Sequence, residues 1–293
     1  MHKIIVITGP TAVGKTKLSI ELAKKYDGEI INADAVQVYK ELNIGSAKVT
    51  EEEKEGIPHH LLDFKEVTEE YTIYHYQKDC REKIKDIQSR NKTPILVGGT
   101  GLYIKAALYD YKLSEEKSTN TYDNLTNEEL YEELKKLDKD IIIDKDNRRR
   151  LIRAINYYKE NNESINKNKT NKLLYNVIFI GLTTDRQVLY DKINKRVDEM
   201  ISQGLFEEVK SFYDKGIKSK PLLNAIGYRE LYNYLDGNCT KEEAIEKIKQ
   251  NSRHYAKRQY TFFNHQLPIV WFETDYNNFN NTIEKVASYI DSN

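Results

Sequence analysis

The chain has 293 residues, which is enough for one large α/β domain or for a core with a smaller partner domain. Its 46 Lys and Arg residues balance 46 Asp and Glu residues, so any nucleic-acid partner must be bound by local clusters rather than by overall charge. Neither Cys80 nor Cys239 has a set of Cys or His ligands nearby in the sequence, so neither a disulfide framework nor a zinc site is indicated. Apolar runs are far shorter than the roughly 20 residues that cross a bilayer, and no signal segment is evident. We therefore expect a cytoplasmic protein without a membrane span.

Short apolar strands alternate with helices in much of the chain. Residues 3–8 are β-branched and nearly all apolar, and residues 29–33, 93–97 and 176–182 form similar runs. Such runs are typical of strands that are covered on both faces in a parallel sheet. Residues 17–26 have the apolar spacing of a helix. The alternation predicts an α/β fold with a parallel sheet flanked by helices.

The segment 111–172 lacks a strong strand pattern. Thr126 and Glu129 form a capping pair that opens one helix, and Asn147 to Glu160 has the pattern of a second, basic helix. This segment is expected to form a small helical insertion domain between strands of the sheet. The predicted division is a core domain of residues 1–110 and 173–293 and an insertion domain of residues 111–172.

Two longer helices are predicted after residue 182, which we take as the end of the last strand. Apolar residues recur every four positions within Asp185 to Lys215. Thr240 and Glu243 form a capping pair for a helix that runs towards Phe263.

A phosphate-binding motif follows the first strand. The sequence fits G-x-x-x-x-G-K-[ST], the P-loop, whose backbone N–H groups bind phosphate oxygens at a helix amino terminus. The motif lies between a predicted strand and a predicted helix, so the core is expected to resemble a P-loop NTPase. Lys15 is suited to neutralise phosphate charge and the Thr16 hydroxyl to ligate Mg²⁺. The motif consists of Gly9, Pro10, Thr11, Ala12, Val13, Gly14, Lys15 and Thr16.

Asp34 is the candidate for a functional carboxylate. It follows the strand that ends at Ala33, at the sheet edge where open α/β sheets bind ligands. The strand ending at Val97 is followed by Gly98, Gly99 and Thr100, instead of the metal-binding aspartate of many P-loop ATPases. Asp34 is suited to ligate a metal through water or to act as a general base. The alternative is that it only forms a turn or caps a helix.

The order of several motifs resembles the tRNA dimethylallyltransferases, also called tRNA isopentenyltransferases. After the P-loop come Asp-Ala-Val-Gln-Val-Tyr from Asp34 and Ile-Gly-Ser-Ala-Lys from Ile44. The resemblance covers nearly the whole chain, from about residue 3 to residue 272, and the ordered set of motifs is highly specific. The further segments that follow the family's order are 57–63, 98–103, 148–154, 196–198, 225–228 and 256–259.

The resemblance implies an activity and four catalytic residues. The family transfers a dimethylallyl group from dimethylallyl diphosphate to the N6 amine of the adenosine immediately 3′ of the anticodon, in tRNAs that read codons beginning with U. Lys15 and Mg²⁺ would stabilise the departing diphosphate. By resemblance, Asp34 accepts the proton of the amine, Thr100 lies beside the reacting centre and Arg196 reaches the diphosphate. On the residues alone, Thr100 could instead cap the next helix and Arg196 could be solvated.

The resemblance also implies a path for the tRNA. Three positions depart from the family pattern: Ala35 replaces a usual Ser, Phe262 a usual Trp and Asn264 a basic residue, so one hydrogen bond to substrate and one phosphate contact are expected to be missing. The implied tRNA-binding residues are Asp34, Ala35, Val36, Gln37, Arg149, Arg150, Leu151, Ile152, Arg153, Asn224, Ala225, Ile226, Gly227, Tyr228, Arg229, Lys257, Arg258, Gln259, Thr261 and Phe262.

The expected protein is a monomer that binds dimethylallyl diphosphate, the anticodon stem-loop of tRNA and Mg²⁺. Three other functions are compatible with a P-loop and an aspartate. They are phosphorylation of a small metabolite, prenyl transfer to a free adenine nucleotide, and non-catalytic regulation by nucleotide binding.

Overall fold

The computed structural model describes residues 3–111, 113, 122–166 and 171–293. The chain divides into two compact units. The first comprises Met1–Leu108 and Tyr175–Asn293, and the second comprises Tyr109–Leu174. Among the described residues, no helix combines the length and the apolar character that crossing a membrane requires.

The first unit is built on a parallel sheet. Within the described residues the sheet has six strands, in the spatial order β3-β2-β4-β1-β5-β6. Every pairing between neighbouring strands is parallel. The predicted α/β class with a parallel sheet is therefore confirmed. The strands are β1 (Ile4–Thr8), β2 (Gly28–Asn32), β3 (His59–His60), β4 (Thr93–Val97), β5 (Val177–Thr183) and β6 (Val270–Glu273).

Helices cover the sheet in the first unit, and the described part of the second unit contains two further helices. In chain order the helices of the described residues are α1 (Lys15–Lys25), α2 (Glu51–Lys54), α3 (Ile73–Ser89), α4 (Gly101–Leu108), α5 (Asn127–Leu137), α6 (Arg148–Asn161), α7 (Arg186–Ser202), α8 (Leu205–Asp214), α9 (Lys220–Asn224), α10 (Tyr228–Leu235), α11 (Lys241–Gln266) and α12 (Phe279–Ser292). Of these, α5 and α6 belong to the second unit.

The central strand β1 explains why the sheet is covered on both faces. All five of its residues are buried, and it lies between β4 and β5, where Ile5 pairs with Ile95 and Ile178. A strand with this composition is stable only where both faces pack against other apolar groups. Because the strands are parallel, the carboxyl ends of β1, β2 and β4 lie at one edge of the sheet, where the P-loop, Asp34 and Thr100 follow them.

The carboxyl-terminal part of the first unit differs from the prediction. The expected single helix from Asp185 to Lys215 is interrupted at Gly204, whose φ of 101° lies in the left-handed region that favours glycine. Another strand, β6, follows residue 182 and extends the sheet beside β5, and α12 follows it. The β6 sequence Val-Trp-Phe-Glu is short and partly exposed, as edge strands often are, so its apolar pattern was too weak to predict.

The second unit has its own small core. The predicted capping pair is present, since the Thr126 side chain accepts from the Glu129 N–H and the Glu129 side chain accepts from the Thr126 N–H. The α6 helix begins after Asn147, whose side chain accepts from the Arg150 N–H. Both helices direct apolar residues inwards, and the buried cluster consists of Tyr122, Leu130, Leu134, Ile141, Leu151, Ala154 and Ile155.

Candidate functional site

The loop between β1 and α1 is built on two glycines. Gly9 has a φ of 134°, and a Cβ there would lie 2.4 Å from the Leu182 carbonyl oxygen. Gly14 has a φ of 91°, and a Cβ there would lie 2.6 Å from the Phe279 ring. Gly14 precedes α1, and it has no side chain that could accept a hydrogen bond from the first N–H groups of the helix. The first N–H groups of α1, which lack intrahelical partners, are thus available to an anion.

A cavity of about 440 Å³ lies beside this loop in the first unit. Many of the residues predicted from the sequence to belong to the site line this cavity, and they come from six separate segments of the chain. The nominated residues that line it are Thr11, Ala12, Gly14, Lys15, Thr16, Asp34, Ala35, Val36, Gln37, Thr100, Arg196, Asn224, Ala225, Ile226, Gly227, Arg229, Arg258 and Gln259.

Some nominated residues of the first unit lie outside the cavity lining. Val13 is fully buried among apolar side chains behind the loop, while Lys257 and Thr261 are exposed on α11. The nominated residues of the first unit that do not line the cavity are Gly9, Pro10, Val13, Tyr228, Lys257, Thr261 and Phe262. The nominated residues 149–153 lie on α6 in the second unit, where Arg149 and Arg150 are exposed.

Two nominated tRNA contacts have fully buried side chains. Leu151 has an exposed fraction of 0% in the core of the second unit, and Tyr228 has an exposed fraction of 0% in the first. Neither side chain can touch an external RNA while the surrounding core is intact. Contact with RNA through the side chain is therefore excluded for these two residues, while their place on the tRNA path stays a prediction.

Lys15 lies at the end of the cavity next to the P-loop. Its Nζ donates hydrogen bonds to the carbonyl oxygens of Gly9, at 3.1 Å, and Pro10, at 2.6 Å. Burial lowers the pKa of Lys15 to about 7, and the charge of Arg196 adds to this effect, while Asp34 opposes it. An anion bound at this end would therefore favour the protonated lysine.

Arg196 reaches the same end of the cavity from α7. Its Nη1 donates to the Thr11 hydroxyl at 2.8 Å. Burial lowers the pKa of Arg196, and the nearby carboxylate of Asp34 is the main influence in the opposite direction. Arg196 is thus a half-buried cation fixed to the P-loop, and the solvated alternative does not describe it.

Asp34 presents one carboxylate oxygen to the protein and leaves the other available. Its Oδ1 accepts from the backbone N–H groups of Val36, at 2.8 Å, and Gln37, at 3.4 Å. Its Oδ2 accepts no hydrogen bond from the described residues. A carboxylate held in this way has a fixed orientation and a free basic oxygen at the cavity wall.

Thr100 joins the ends of β4 and β2. Its hydroxyl accepts from the Ala35 N–H at 3.0 Å, and its backbone N–H donates to the Ala33 carbonyl oxygen at 3.0 Å. The hydroxyl is therefore engaged with the segment that carries Asp34 rather than with α4. Tyr255 lies nearby, and burial, followed by the charge of Asp34, raises its pKa to about 12, so it stays protonated at neutral pH.

The Gly98-Gly99 turn allows close packing at the sheet edge. A Cβ on Gly98 would lie 2.2 Å from the Ala33 carbonyl oxygen, and a Cβ on Gly99 would lie 2.1 Å from Gln259 Nε2. Gln259 Nε2 donates to the Gly99 carbonyl oxygen at 3.0 Å. Because these two glycines have no side chain, the neighbouring segments can approach closely, and Thr100 comes to lie near Asp34.

The three departures from the family pattern have structural partners in this chain. The Ala35 backbone N–H donates to the Thr100 hydroxyl, and this contact needs no side chain at position 35. The Phe262 ring packs edge-on against Phe263, with ring centroids 6.1 Å apart. Asn264 Oδ1 accepts from Trp271 Nε1 at 2.9 Å, so this side chain is engaged within the protein.

The oxygen donors at the cavity fit one mode of metal binding. In the described part of the chain, no group of three or more His, Cys, Asp or Glu side chains could hold a metal ion. Thr16, at the start of α1, and Asp34 both line the cavity. Mg²⁺ usually keeps several waters and binds one or two protein oxygens together with substrate phosphates. These donors therefore fit Mg²⁺ that arrives with a phosphate, and they do not fit a metal held by protein alone.

Glu208 holds a segment of the cavity wall from outside the cavity, and the sequence did not reveal this contact. Its carboxylate accepts from three consecutive backbone N–H groups of the segment 43–45, next to the cavity. The contact joins residues more than 160 positions apart, so no local pattern signals it. The apolar positions Ile193 and Val197 on α7 were predicted as a helix stripe, and the structure shows that they also line the cavity.

Comparisons with known proteins agree with the motif order. The model of the IPP transferase family matches residues 37–266. The tRNA dimethylallyltransferase of Anoxybacillus flavithermus is 50% identical over 99% of this chain and 96% of its own length, and that of Geobacillus thermodenitrificans is 48% identical over the same shares.

Solved structures give the same result. The full-length tRNA isopentenylpyrophosphate transferase of Bacillus halodurans is 40% identical and superposes with a TM-score of 0.79, covering 100% of this chain and 96% of that protein. A eukaryotic dimethylallyltransferase acting on tRNA is 29% identical, with a TM-score of 0.89 over 100% of this chain and 79% of its own. The resemblance seen in the motifs is confirmed, and the chain belongs to the IPP transferase family.

Proposed function

We propose that the chain is a tRNA dimethylallyltransferase, which transfers the dimethylallyl group of dimethylallyl diphosphate to N6 of the adenosine 3′-adjacent to the anticodon in tRNAs that read codons beginning with U. One observation carries the proposal. A cavity lined by Lys15 and Arg196 at its anion-binding end also contains Asp34, whose Oδ2 has no hydrogen-bond partner among the described residues. Transfer from a diphosphate to an amine needs both functions, an anion cradle and a proton acceptor.

The diphosphate end acts on the leaving group. As the allylic carbon–oxygen bond breaks, its electron pair stays with the diphosphate and negative charge grows there. The N–H groups at the start of α1, the Lys15 ammonium and the Arg196 guanidinium are positioned to stabilise that charge. Thr16 is the residue that would hold Mg²⁺, whose charge would add to this stabilisation.

The acceptor end acts on the adenine. The N6 nitrogen forms the new bond to the allylic carbon and loses one proton, which we assign to Asp34 Oδ2. The hydrogen bonds to Oδ1 from Val36 and Gln37 keep the carboxylate oriented while it accepts the proton. Thr100 maintains the backbone of this segment through Ala35. Because a base next to the anticodon is normally stacked, the adenosine must leave its stack to reach the cavity.

Exposed cations on both units support the tRNA as the acceptor. Arg229 and Arg258 are exposed residues that line the cavity, and Lys257 is exposed on α11. Arg149 and Arg150 are exposed on α6 of the second unit. Clusters of this kind can bind phosphates although the net charge of the chain is zero. We propose the cytoplasm as the site of action, and a monomer as the working form because one chain lines the whole cavity.

Mass analysis of tRNA nucleosides tests the proposal. Unmodified tRNA is incubated with the protein, Mg²⁺ and dimethylallyl diphosphate, and parallel reactions replace the tRNA with AMP, ADP or ATP. The expected result is an adenosine heavier by one C5 unit in tRNA, with little product from the free nucleotides. Product from the nucleotides alone would instead support a nucleotide prenyltransferase. Phosphate transfer from labelled ATP without any prenyl product would support a kinase, and no product at all would support a regulator.

A further inference from the structure

The segment 43–47, which we call the acceptor loop, lies on the cavity and is tied to a carboxylate on a distant helix. Gly45, Ser46 and Ala47 line the cavity. Glu208 Oε2, from α8, accepts from the backbone N–H groups of Asn43, at 3.0 Å, and Ile44, at 2.9 Å, and its Oε1 accepts from that of Gly45, at 3.2 Å. One carboxylate thus binds three consecutive N–H groups of the acceptor loop.

Tyr228 completes this anchor from α10. Its hydroxyl donates to Glu208 Oε1, and its side chain is fully buried. Gly45 lies directly against the ring, where a Cβ would be 2.5 Å from the nearest ring carbon. Burial and the charge of Glu208 raise the pKa of the Tyr228 hydroxyl, so it remains a donor at neutral pH. The acceptor loop is therefore held by charge-assisted hydrogen bonds and by close packing.

The acceptor loop in turn holds the segment that carries Asp34. Gln37 Nε2 donates to the carbonyl oxygens of Ser46, at 3.0 Å, and Ala47, at 3.1 Å. The Gln37 backbone N–H donates to Asp34 Oδ1 at 3.4 Å. A continuous series of hydrogen bonds therefore leads from Glu208 through the acceptor loop and Gln37 to the carboxylate.

The phosphate-binding end has separate supports. Lys15 bonds to the carbonyl oxygens of its own loop, and Arg196 bonds to Thr11. None of these bonds involves the acceptor loop. A change at Glu208 should consequently affect one half of the site and spare the other.

We propose that Glu208, together with Tyr228, is a positioning residue that sets the geometry of Asp34 and Gln37 towards the acceptor adenosine without acting on the diphosphate. The inference rests on the proposed function, which it deepens by assigning two scaffold residues to the acceptor side. Glu208 does not touch the reacting atoms in this scheme. Its effect passes through the backbone of the acceptor loop.

Three variants and one control test the inference. Glu208→Ala removes the acceptor for all three N–H groups, Glu208→Gln keeps one carbonyl oxygen, and Tyr228→Phe removes only the hydroxyl. Glu207→Ala is the matched control, because Glu207 is an exposed glutamate on the same helix. Each variant is assayed, well below its melting temperature, for amide hydrogen exchange at residues 43–45, for pyrophosphate affinity and for single-turnover transfer to tRNA.

The expected result is a stepwise loss of transfer to tRNA across the Glu208 variants, without a matching loss of pyrophosphate affinity. Glu208→Ala should speed exchange at residues 43–45 by about tenfold or more, and transfer to tRNA should fall by about 10–100-fold, the scale of a small misplacement of catalytic groups. Glu208→Gln should lie between Glu208→Ala and the wild type. Pyrophosphate affinity should stay within about twofold, because the two ends of the site share no hydrogen-bond partners and the charge of Asp34 is unchanged. Glu207→Ala should behave as the wild type.

Two results would overturn the inference. One is wild-type transfer by Glu208→Ala, and the other is a parallel loss of pyrophosphate affinity and transfer in the well-folded Glu208→Gln variant, which indicates a general structural role. Failure of the wild-type protein to modify tRNA would refute the proposed function instead. Hydrogen exchange and pyrophosphate binding do not need the reaction, so they separate the two failures.

Discussion

Arg196 on α7 donates a hydrogen bond to the hydroxyl of Thr11 in the P-loop, at 2.8 Å and across 185 residues of sequence. The end of the cavity next to the P-loop is therefore assembled from the first strand–helix unit and from a helix in the second half of the chain. Substitution of Arg196 should show whether this second cation serves the leaving group.

Arg196→Ala is expected to lower the rate of prenyl transfer by about 10²–10³-fold, the usual cost of removing one donor from a developing anion. Arg196→Lys should recover part of the rate, because it keeps the charge and loses the two-pronged geometry. Steady-state kinetics with dimethylallyl diphosphate measure both effects. The matched control is Lys195→Ala, at the neighbouring exposed position, which should leave the rate unchanged. Equal rates for Arg196→Ala and this control would refute a role on the diphosphate.

Pyrophosphate binding is expected to take up a proton at Lys15. The pKa of Lys15 is lowered to about 7 in the free site, chiefly by burial, so at pH 8 much of the lysine is neutral. A bound anion favours the charged form and raises that pKa, so affinity should fall as the pH rises above 7, by at most about tenfold per pH unit. Calorimetry in two buffers of different ionisation enthalpy measures the uptake.

The control for this prediction is Lys15→Arg, because arginine keeps its charge throughout this range. The proton taken up by Lys15 should be missing from the variant, after the protonation of pyrophosphate itself is subtracted. Identical uptake by the two proteins would show that Lys15 is already charged in the free site.

Gly98→Ala is expected to destabilise the protein and to disturb the site together. The new Cβ would lie 2.2 Å from the Ala33 carbonyl oxygen, which is backbone and cannot move aside cheaply. Overpacking of this kind costs about 1–3 kcal/mol, and the shift would be passed to Asp34, the next residue. Urea unfolding and transfer kinetics test the two parts. Gly56→Ala is the comparison, since its Cβ would meet nothing within 4 Å and only its backbone conformation would resist the change.

Glu29 is expected to stabilise the sheet at neutral pH and not in strong acid. This side chain of β2 is 4% exposed and bonds to Arg90 and His60, and the bonds from Arg90 lower its pKa to about 2. A carboxyl whose folded pKa lies below its usual value of 4.5 adds stability above that value, and loses it as the pH falls towards 2.

Glu29→Gln should therefore lower the free energy of unfolding by about 1–3 kcal/mol at pH 7. The difference from the wild type should shrink between pH 4.5 and pH 2. Urea unfolding at several pH values measures it. Asp86→Asn, which changes an exposed partner of the same arginine, should have a much smaller effect. A pH-independent difference would contradict the assignment.

The sequence was sufficient for the parts of the site that local patterns and parallel topology determine. Gly9 to Thr16 could be predicted because a strand, a glycine turn and a helix are adjacent in the chain. The place of Asp34 at the sheet edge followed from the rule that open α/β sheets bind ligands at the carboxyl ends of their strands, whereas the place of Thr100 beside it followed from the family resemblance.

Other parts depend on packing between segments that are far apart, and single-sequence patterns do not report such contacts. Glu208 has the charge pattern of an ordinary surface residue of an amphipathic helix, and only the fold brings it to the acceptor loop. Tyr228 was nominated as an RNA contact, yet its ring is buried because Gly45 leaves room for it. The edge strand β6 was missed because its apolar run is too short to distinguish a strand from a helical segment by its pattern alone.

The role of Asp34 as the acceptor of the N6 proton is the center of the proposed mechanism, and single-turnover transfer by Asp34→Asn tests it most directly. The variant keeps the size of the side chain and one oxygen for the Val36 and Gln37 N–H groups, but it loses the basic oxygen. With enzyme in excess over tRNA and saturating dimethylallyl diphosphate, the rate of transfer should fall by about 10²–10⁴-fold while tRNA affinity stays nearly unchanged. A variant that modifies tRNA at the wild-type single-turnover rate would contradict the assignment of Asp34 as the base.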